Sequence, residues 1–270
     1  MELTFITCKH PLLSQFVSGF FTIESTGNGI PRNPFIHIPD GTIDLVFNLG
    51  DPYFRKSAIY SNFDANITSA TLCSQRSSAT IIKSFGDIEV FGVRFQPDGI
   101  YPFCKLGMHE LVNQAVDPQL IFKNDFNKLF YNVYNTKDSI QKIDVITNFF
   151  LSELNRGIEI DYCLQSLIKY IQSKNGNIRI KDVIRLFNCS QRSLEMRSRQ
   201  RMGLSLKELS RILRFKYFVL LHDQSPTSNL TDLCYQAGYF DQSHLIHECK
   251  KITGVNPSEY INIQRGIPVL

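Results

Sequence analysis

The sequence predicts an α+β protein. An N-terminal β-rich domain, barrel- or sandwich-like and ending in helices, precedes an all-α domain of two helix-turn-helix modules joined by a long helix. Three observations predict this. Short β-type runs bounded by Pro, Gly and Asp turns recur at about ten-residue spacing over roughly the first hundred residues. From Ile100 onward the apolar periodicity becomes helical. Finally, Ile180–Leu209 and Leu230–Tyr260 read as one helical unit written twice. Ile180 pairs with Leu230, Val183 with Leu233, Leu194 with Leu245, Gly203 with Gly254 and Glu208 with Glu259. The offset of 50 residues becomes 51 after the central turn.

In chain order, FVSGFFTIES (Phe16–Ser25) mixes aromatic and β-branched residues and stops at the turn-rich TGNGIPRNP. A strand follows around Ile36–Ile38, then a turn at Pro39-Asp40-Gly41, and a strand Thr42–Leu49 that ends at Gly50-Asp51-Pro52. Two more runs, Ala79–Phe85 and Ile88–Phe95, flank Gly86-Asp87. Connections this short argue against a parallel sheet crossed by helices. The aromatic-rich half (Phe20, Phe21, Phe35, Phe47, Phe91, Phe95, Tyr101, Phe103) reads as core or as the lining of an apolar pocket.

MHELVNQAV and PQLIFKNDFNKLFYNVY have mixed helical periodicity. Asp138–Leu154 is cleaner, with Ile140, Ile143, Ile146, Phe150 and Leu154 on one stripe. That helix is expected either to pack on the N-terminal sheet or to form a homodimer contact. Asn155-Arg156-Gly157 breaks it and sets the domain boundary near residues 155–160, giving domains 1–157 and 158–270. Asp161–Ser173 is amphipathic through Leu164, Leu167, Ile168 and Ile171, and Lys174-Asn175-Gly176-Asn177 leads from it into the first repeat.

Each repeat has helix-turn-helix grammar. In the first, Ile180, Val183, Ile184 and Phe187 form the stripe, Asn188 tolerates the left-handed turn, and Ser190 caps the next helix. In the second, Leu230, Leu233, Cys234 and Ala237 form the stripe, Gly238 supplies the turn, and Asp241 caps a helix running to about Ile252. Two short helices at such an angle let the second enter a DNA major groove.

Charge agrees with that geometry. The chain carries a formal +4, but residues 175–270 hold 14 Lys and Arg against 8 Asp and Glu, and the remainder is slightly acidic. A basic C-terminal third implies a polyanionic partner for that domain alone. The seven cysteines are scattered, without CxxC, which argues against a disulfide framework or zinc finger and suits a reducing cytoplasm. Cys189, Cys234 and Cys249 occupy apolar repeat positions and are expected in the core. No apolar run approaches the roughly 18–20 residues needed to span a bilayer. With no signal-peptide pattern at its start, the chain is expected to be cytoplasmic, without membrane association.

Residues about 161–260 resemble the DNA-binding domain of the AraC/XylS family of bacterial transcription regulators. The most specific segment is GYFDQSHLIHECKKITGVNPSEY (Gly238–Tyr260), with its Gly-aromatic turn, Lys-Lys, Thr-Gly and Pro-x-x-aromatic signature. FIHIPDGTIDLVFNLGDPY and FGVRFQPDGI are similar to an uncharacterised N-terminal domain of some AraC-like regulators. The resemblance implies two modules joined by one helix, here Leu206–Asp223, whose Leu209, Leu213, Phe215, Tyr217, Leu220 and Leu221 would touch both. It also implies double-stranded promoter DNA as partner. The N-terminal domain would then bind a small-molecule effector or mediate dimerisation through helix 138–154.

On this resemblance the base readers are Gln191, Arg192, Glu195, Met196 and Arg199 on helix 190–202, and Gln242, Ser243, His244 and His247 on helix 241–252. Arg192 can donate twice to a guanine, and Met196 suits a thymine methyl. Ser190, Arg197, Arg201, Lys250 and Lys251 suit phosphates, which position the protein without specifying sequence. A rigid connector would seat the two helices in successive major grooves about 34 Å apart. Ser198 and Cys249 stand where the family usually buries an aromatic, Ile184 where it has a small residue, and Leu206 where proline is more frequent.

Enzymatic readings are weak. His244 and His247 could share a metal, but the pattern is not HExxH and no third ligand is evident. No nucleophile elbow, P-loop or dinucleotide fingerprint appears. The expectation is a non-enzymatic regulator without cofactor or metal. The alternative is a ligand-binding or sensory protein whose helix-turn-helix unit makes protein contacts.

Overall fold

The computed structural model describes residues 2–26, 34–59, 65–104, 106–154, 159–187 and 190–264. Its strands are β1 Glu2–Thr7, β2 Val17–Ser25, β3 Phe35–His37, β4 Ile43–Asn48, β5 Tyr53–Ser57, β6 Ala65–Ile67, β7 Ala70–Cys73, β8 Thr80–Ser84, β9 Ile88–Phe95 and β10 Ala115–Val116. Its helices are α1 Tyr101–Cys104, α2 Gln119–Phe122, α3 Asn124–Asn135, α4 Ser139–Leu154, α5 Tyr162–Ser173, α6 Ile180–Leu186, α7 Gln191–Met202, α8 Leu206–Gln224, α9 Leu230–Gln236, α10 Gln242–Thr253 and α11 Pro257–Gln264.

The strands form two open antiparallel sheets, ordered β1-β2-β9-β4-β7-β10 and β3-β8-β5-β6, rather than a closed barrel. The five runs read from the sequence are strands within one or two residues of the expected limits. The sequence reading missed β1, β5, β6, β7 and β10. Strand β1 is an exposed edge that pairs with β2 alone among the described residues, so its place depends on that pairing.

Alternation in the central strands separates two cores. Ile43, Leu45 and Phe47 of β4 and Phe91, Val93 and Phe95 of β9 face the helices, where they meet Phe126, Leu129, Ile146 and Phe150. The Phe150 ring packs edge-to-face on Phe95 and Phe103 at 5.3 and 5.0 Å, and Phe95 and Phe103 lie tilted to each other at 6.2 Å. The opposite face carries Val46 and Val90, which meet Tyr53 and Ile67 of the second sheet. It also carries the ion-paired Asp44 and Arg94.

Helix α4 spends its apolar stripe on the sheet: Ile146 and Phe150 are buried, whereas Ile140 in the first turn is 67% exposed. The stripe offered for dimerisation therefore packs largely on the N-terminal core, with Ile143 and Leu154 half-buried and the first turn open. The break at 155–157 lies outside the described residues.

In the C-terminal domain, Asp161 caps α5 by accepting from the Leu164 amide (3.0 Å), and the expected Leu164, Leu167, Ile168 and Ile171 are all buried. Helix α8 starts at a capping box, Ser205 with Glu208. Its N-terminal half gives Leu206, Leu209 and Ile212 to the first module's core, and its C-terminal half gives Phe215, Phe218 and Val219 to the second. Leu213, Tyr217 and Leu221 pack at the margins; Leu220 joins neither core. The true stripe is shifted because Ile212, Phe218 and Val219 face inward.

The two domains share a core. Ile36, Ile38 and Ala79 cluster with Leu233, Cys249 and Tyr260, and the Ala79 amide donates to the Ile252 carbonyl at 2.6 Å. The Pro39-Asp40-Gly41 turn presses on the connector, where an added Cβ at Gly41 would lie 2.7 Å from Leu209.

Candidate nucleic-acid interface

The two second helices of the modules, α7 and α10, are built alike. Ser190 accepts from the Ser193 amide at 3.1 Å, and Asp241 accepts from the His244 amide at 2.7 Å. Each helix ends on a left-handed glycine, Gly203 at φ 87° and Gly254 at φ 83°. The turn before α10 is made by Gly238 at φ 81°. Asn188 and Cys189, expected to make the first turn and join the first core, lie outside the described residues. Cys234 and Cys249 are buried as expected, and burial foremost pushes the Cys249 thiol up to about 11. The fully buried Ser198 sends its hydroxyl to the Glu195 carbonyl, so the missing aromatic leaves no unsatisfied group.

Leu194, Ser198 and Met202 in α7, and Leu245, Cys249 and Ile252 in α10, form the inner faces. Gln191, Arg192, Met196 and Arg199 are exposed on the outer side of α7, with Glu195 half-buried. Arg199 lies 3.5 Å from Glu208. On α10, Gln242, Ser243 and His247 are exposed, whereas His244 is partly buried and meets the Tyr239 ring edge-on at 5.2 Å. The Gln242 amide donates to the Thr231 hydroxyl, which leaves its carbonyl oxygen free to accept from a base. Lys250 and Lys251 are exposed.

Two of the expected phosphate contacts are placed elsewhere. Arg201 is 6% exposed, donates to the Glu159 carbonyl at 2.6 Å and stacks over Tyr101 at 4.6 Å. Arg197 holds Asp161 at 2.7 Å. The reason is helical phase: Leu194, Ser198 and Arg201 stand at i, i+4 and i+7 on the inner stripe. In this arrangement Arg201 ties the modules to the N-terminal domain, and Arg197 serves the α5 cap.

A cleft of about 850 Å³ lies between the modules. Gln191 and Glu195 line it from α7, and His244, Glu248 and Lys251 from α10. Arg179, Lys181, Lys207, Arg211 and Arg214 complete it with positive charge. Sequence reasoning missed these cations, although Lys207 and Arg211 stand at i, i+4 on the connector. Glu248 is engaged by Arg211 at 2.6 Å, so it does not join His244 and His247 as a metal ligand. Among the described residues, no three His, Cys, Asp or Glu side chains converge on a metal site, and no helix is long and apolar enough to cross a membrane.

The N-terminal domain touches the C-terminal ends of both α7 and α10. A Cβ at Gly203 would lie 2.8 Å from the Met108 carbonyl and 2.9 Å from Val112, whereas one at Gly254 would come no nearer than 3.4 Å to Ala58. Gly254→Ala is expected to cost about 1–2 kcal/mol for its left-handed backbone alone. Gly203→Ala adds roughly 1–3 kcal/mol of overpacking. Urea denaturation of the two variants checks this, and equal losses would refute the closer approach at Gly203.

Two family models match parts of the chain. Residues 183–263 match a helix-turn-helix domain model, and residues 10–117 match a domain of unknown function, DUF6597. No curated protein sequence matches the chain. Among solved structures, ToxT from Vibrio cholerae aligns at 17% identity over 92% of this chain and 99% of its own, with a TM-score of 0.48. ToxT from the same organism, bound to an unsaturated fatty acid, aligns at 17% identity over 92% of this chain and 100% of its own, with a TM-score of 0.46. The AraC-like transcriptional activator CuxR aligns at 10% identity over 87% of this chain and 91% of its own, with a TM-score of 0.30.

Proposed function

We propose that this chain, whose C-terminal domain is an AraC-type helix-turn-helix domain following a DUF6597 domain, is a sequence-specific DNA-binding transcription regulator. The observation that carries this is the arrangement of the two modules. Both α7 and α10 keep the outer side of their N-terminal halves open, and one connector helix shares its core with both modules. The cationic cleft between the modules suits the intervening phosphates. The N-terminal domain senses an effector or mediates dimerisation, and regulation proceeds by binding in the cytoplasm, without catalysis.

Base readers and phosphate holders separate by experiment. Arg192→Ala is expected to cost about 1–3 kcal/mol on the cognate duplex and to relax preference at one base pair. Lys250→Ala is expected to weaken binding to every duplex alike and to lower the salt slope by about 1. Salt-titrated gel shifts of the full chain on selected and random duplexes measure both. Equal loss by both variants on every duplex would remove the division of roles, and no salt-dependent binding to any duplex would remove the regulator reading.

A further inference from the structure

We propose that the charged interior between the two sheets is a binding site for a small organic monocarboxylate, with Arg55 as its principal partner. Strand β5 alternates buried and exposed residues, so Tyr53, Arg55 and Ser57 point inward while Phe54 and Lys56 point to solvent. An inward strand position usually carries an apolar side chain. Here it carries a guanidinium 5% exposed, whose Nη1 has no hydrogen-bond partner among the described residues.

The neighbouring charges are already engaged. Arg94 grips Asp44 with two bonds of 2.9 Å. Asp40 lies 3.3 Å from Arg94, 3.6 Å from Arg76 and 3.8 Å from Lys216 of the connector. Its Oδ1 also takes the Thr42 hydroxyl at 2.8 Å. His37 contacts Arg76 at 2.7 Å, and burial first, then the Arg76 charge, hold it well below its ordinary pKa and therefore neutral. Burial lowers the Arg76 pKa, and the nearby Arg55 charge pushes the same way against Asp40 and Asp44. Among the described residues, three deeply buried guanidiniums thus face two buried carboxylates, and Arg55 is the one without an ion pair. Lys216, at the partly solvated margin, is a fourth cation in the same field.

An isolated buried charge is costly unless something pairs it. A carboxylate matches a guanidinium fork and supplies a negative charge for Arg55, the guanidinium without an ion-pair partner among the described residues. Tyr53, on the same face of β5, clusters with Val46, Ile67 and Val90, which suit an apolar body attached to that carboxylate. Because Asp40 joins the sheet cations to Lys216, a ligand here also acts on the N-terminal domain's electrostatic contact with the connector. The proposal deepens the effector part of the reading above. It is tested without DNA, so either can fail alone.

The test is calorimetry and thermal melting of the full chain with sodium acetate, sodium butyrate or inorganic phosphate, at ionic strength held constant with sodium chloride. Saturable binding of a carboxylate is expected, with a melting-temperature rise of about 5 °C at a hundredfold excess over Kd. Arg55→Met is expected to weaken binding at least tenfold while melting no lower than the parent in anion-free buffer, and Arg55→Lys to keep most of the affinity. Four results would each overturn the proposal: no saturable carboxylate binding, saturation by phosphate only, undiminished binding by Arg55→Met, or a marked fall in its anion-free melting temperature.

Discussion

Gly176→Ala is expected to destabilise the C-terminal domain by roughly 4 kcal/mol or more, in the rare, diagnostic tail of single substitutions. Gly176 sits at φ 70° in the turn after α5, where its amide donates to the Ile171 carbonyl at 3.0 Å. Its own carbonyl accepts from the Ser210 hydroxyl at 2.6 Å and from Arg214 at 3.1 Å. An added Cβ would lie 2.0 Å from the Ser210 carbonyl oxygen and 2.9 Å from the Arg214 amide, both backbone atoms of α8. The left-handed penalty is about 1–2 kcal/mol. Separating the turn from α8 adds roughly 1–3 kcal/mol for overpacking and about 1 kcal/mol for each lost hydrogen bond. Urea denaturation followed by circular dichroism measures the loss. A cost below about 1 kcal/mol would mean that the turn does not bear on the connector as described.

The second large effect concerns pH. Asp98 is 2% exposed, and burial foremost pushes its carboxyl up to about 6, opposed by the Arg201 charge and a Gln165 hydrogen bond. An unfolded Asp titrates near 3.9. Between these values the folded chain holds the extra proton, so this contribution to stability is fully present below about pH 4 and is lost as pH rises through 6. The difference is worth about 3 kcal/mol at most. Asp98→Asn is therefore expected to melt like the parent near pH 4 and to exceed it by up to about 3 kcal/mol at pH 8, without the slope between. Parallel stability profiles for the two proteins from pH 4 to 8 would refute the buried, protonated Asp98. Because Gln165 and Arg201 belong to the helical domain, ionisation acts at the junction of the two domains.

The parts legible in the sequence are those governed by residues a few positions apart. Ser190 and Asp241 cap their helices, Gly203 and Gly254 end them, and the apolar stripes of α5, α7 and α10 face inward. The strongest strands were legible for the same reason, since runs such as Ile43–Asn48 carry their signal in composition and bounding turns. The edge strand β1 and the short β5, with Arg55 and Lys56 inside YFRKS, carry little such signal and exist through their pairings with β2, β6 and β8. In the candidate interface, the exposure of Gln191, Arg192, Ser243 and Lys250 follows from helical phase. Arg201 was legible by the same phase, and a cationic side chain at a core position misled the reading.

The sequence by itself thus determined the α+β class, the duplicated helix-turn-helix unit, its caps and the side of each helix left open to a partner. Only the tertiary structure decided which charges remain available. Arg201 is drawn onto Tyr101 and Glu159, Asp40 is shared among Arg76, Arg94 and Lys216, and Arg55 is left without a carboxylate. It also turned Gly176, a linker residue by composition, into the point where a turn meets the connector backbone. The physical reason is range. Caps and periodicity act through neighbours along the chain, whereas the partner of a buried charge is chosen by whichever distant segment the packing brings against it.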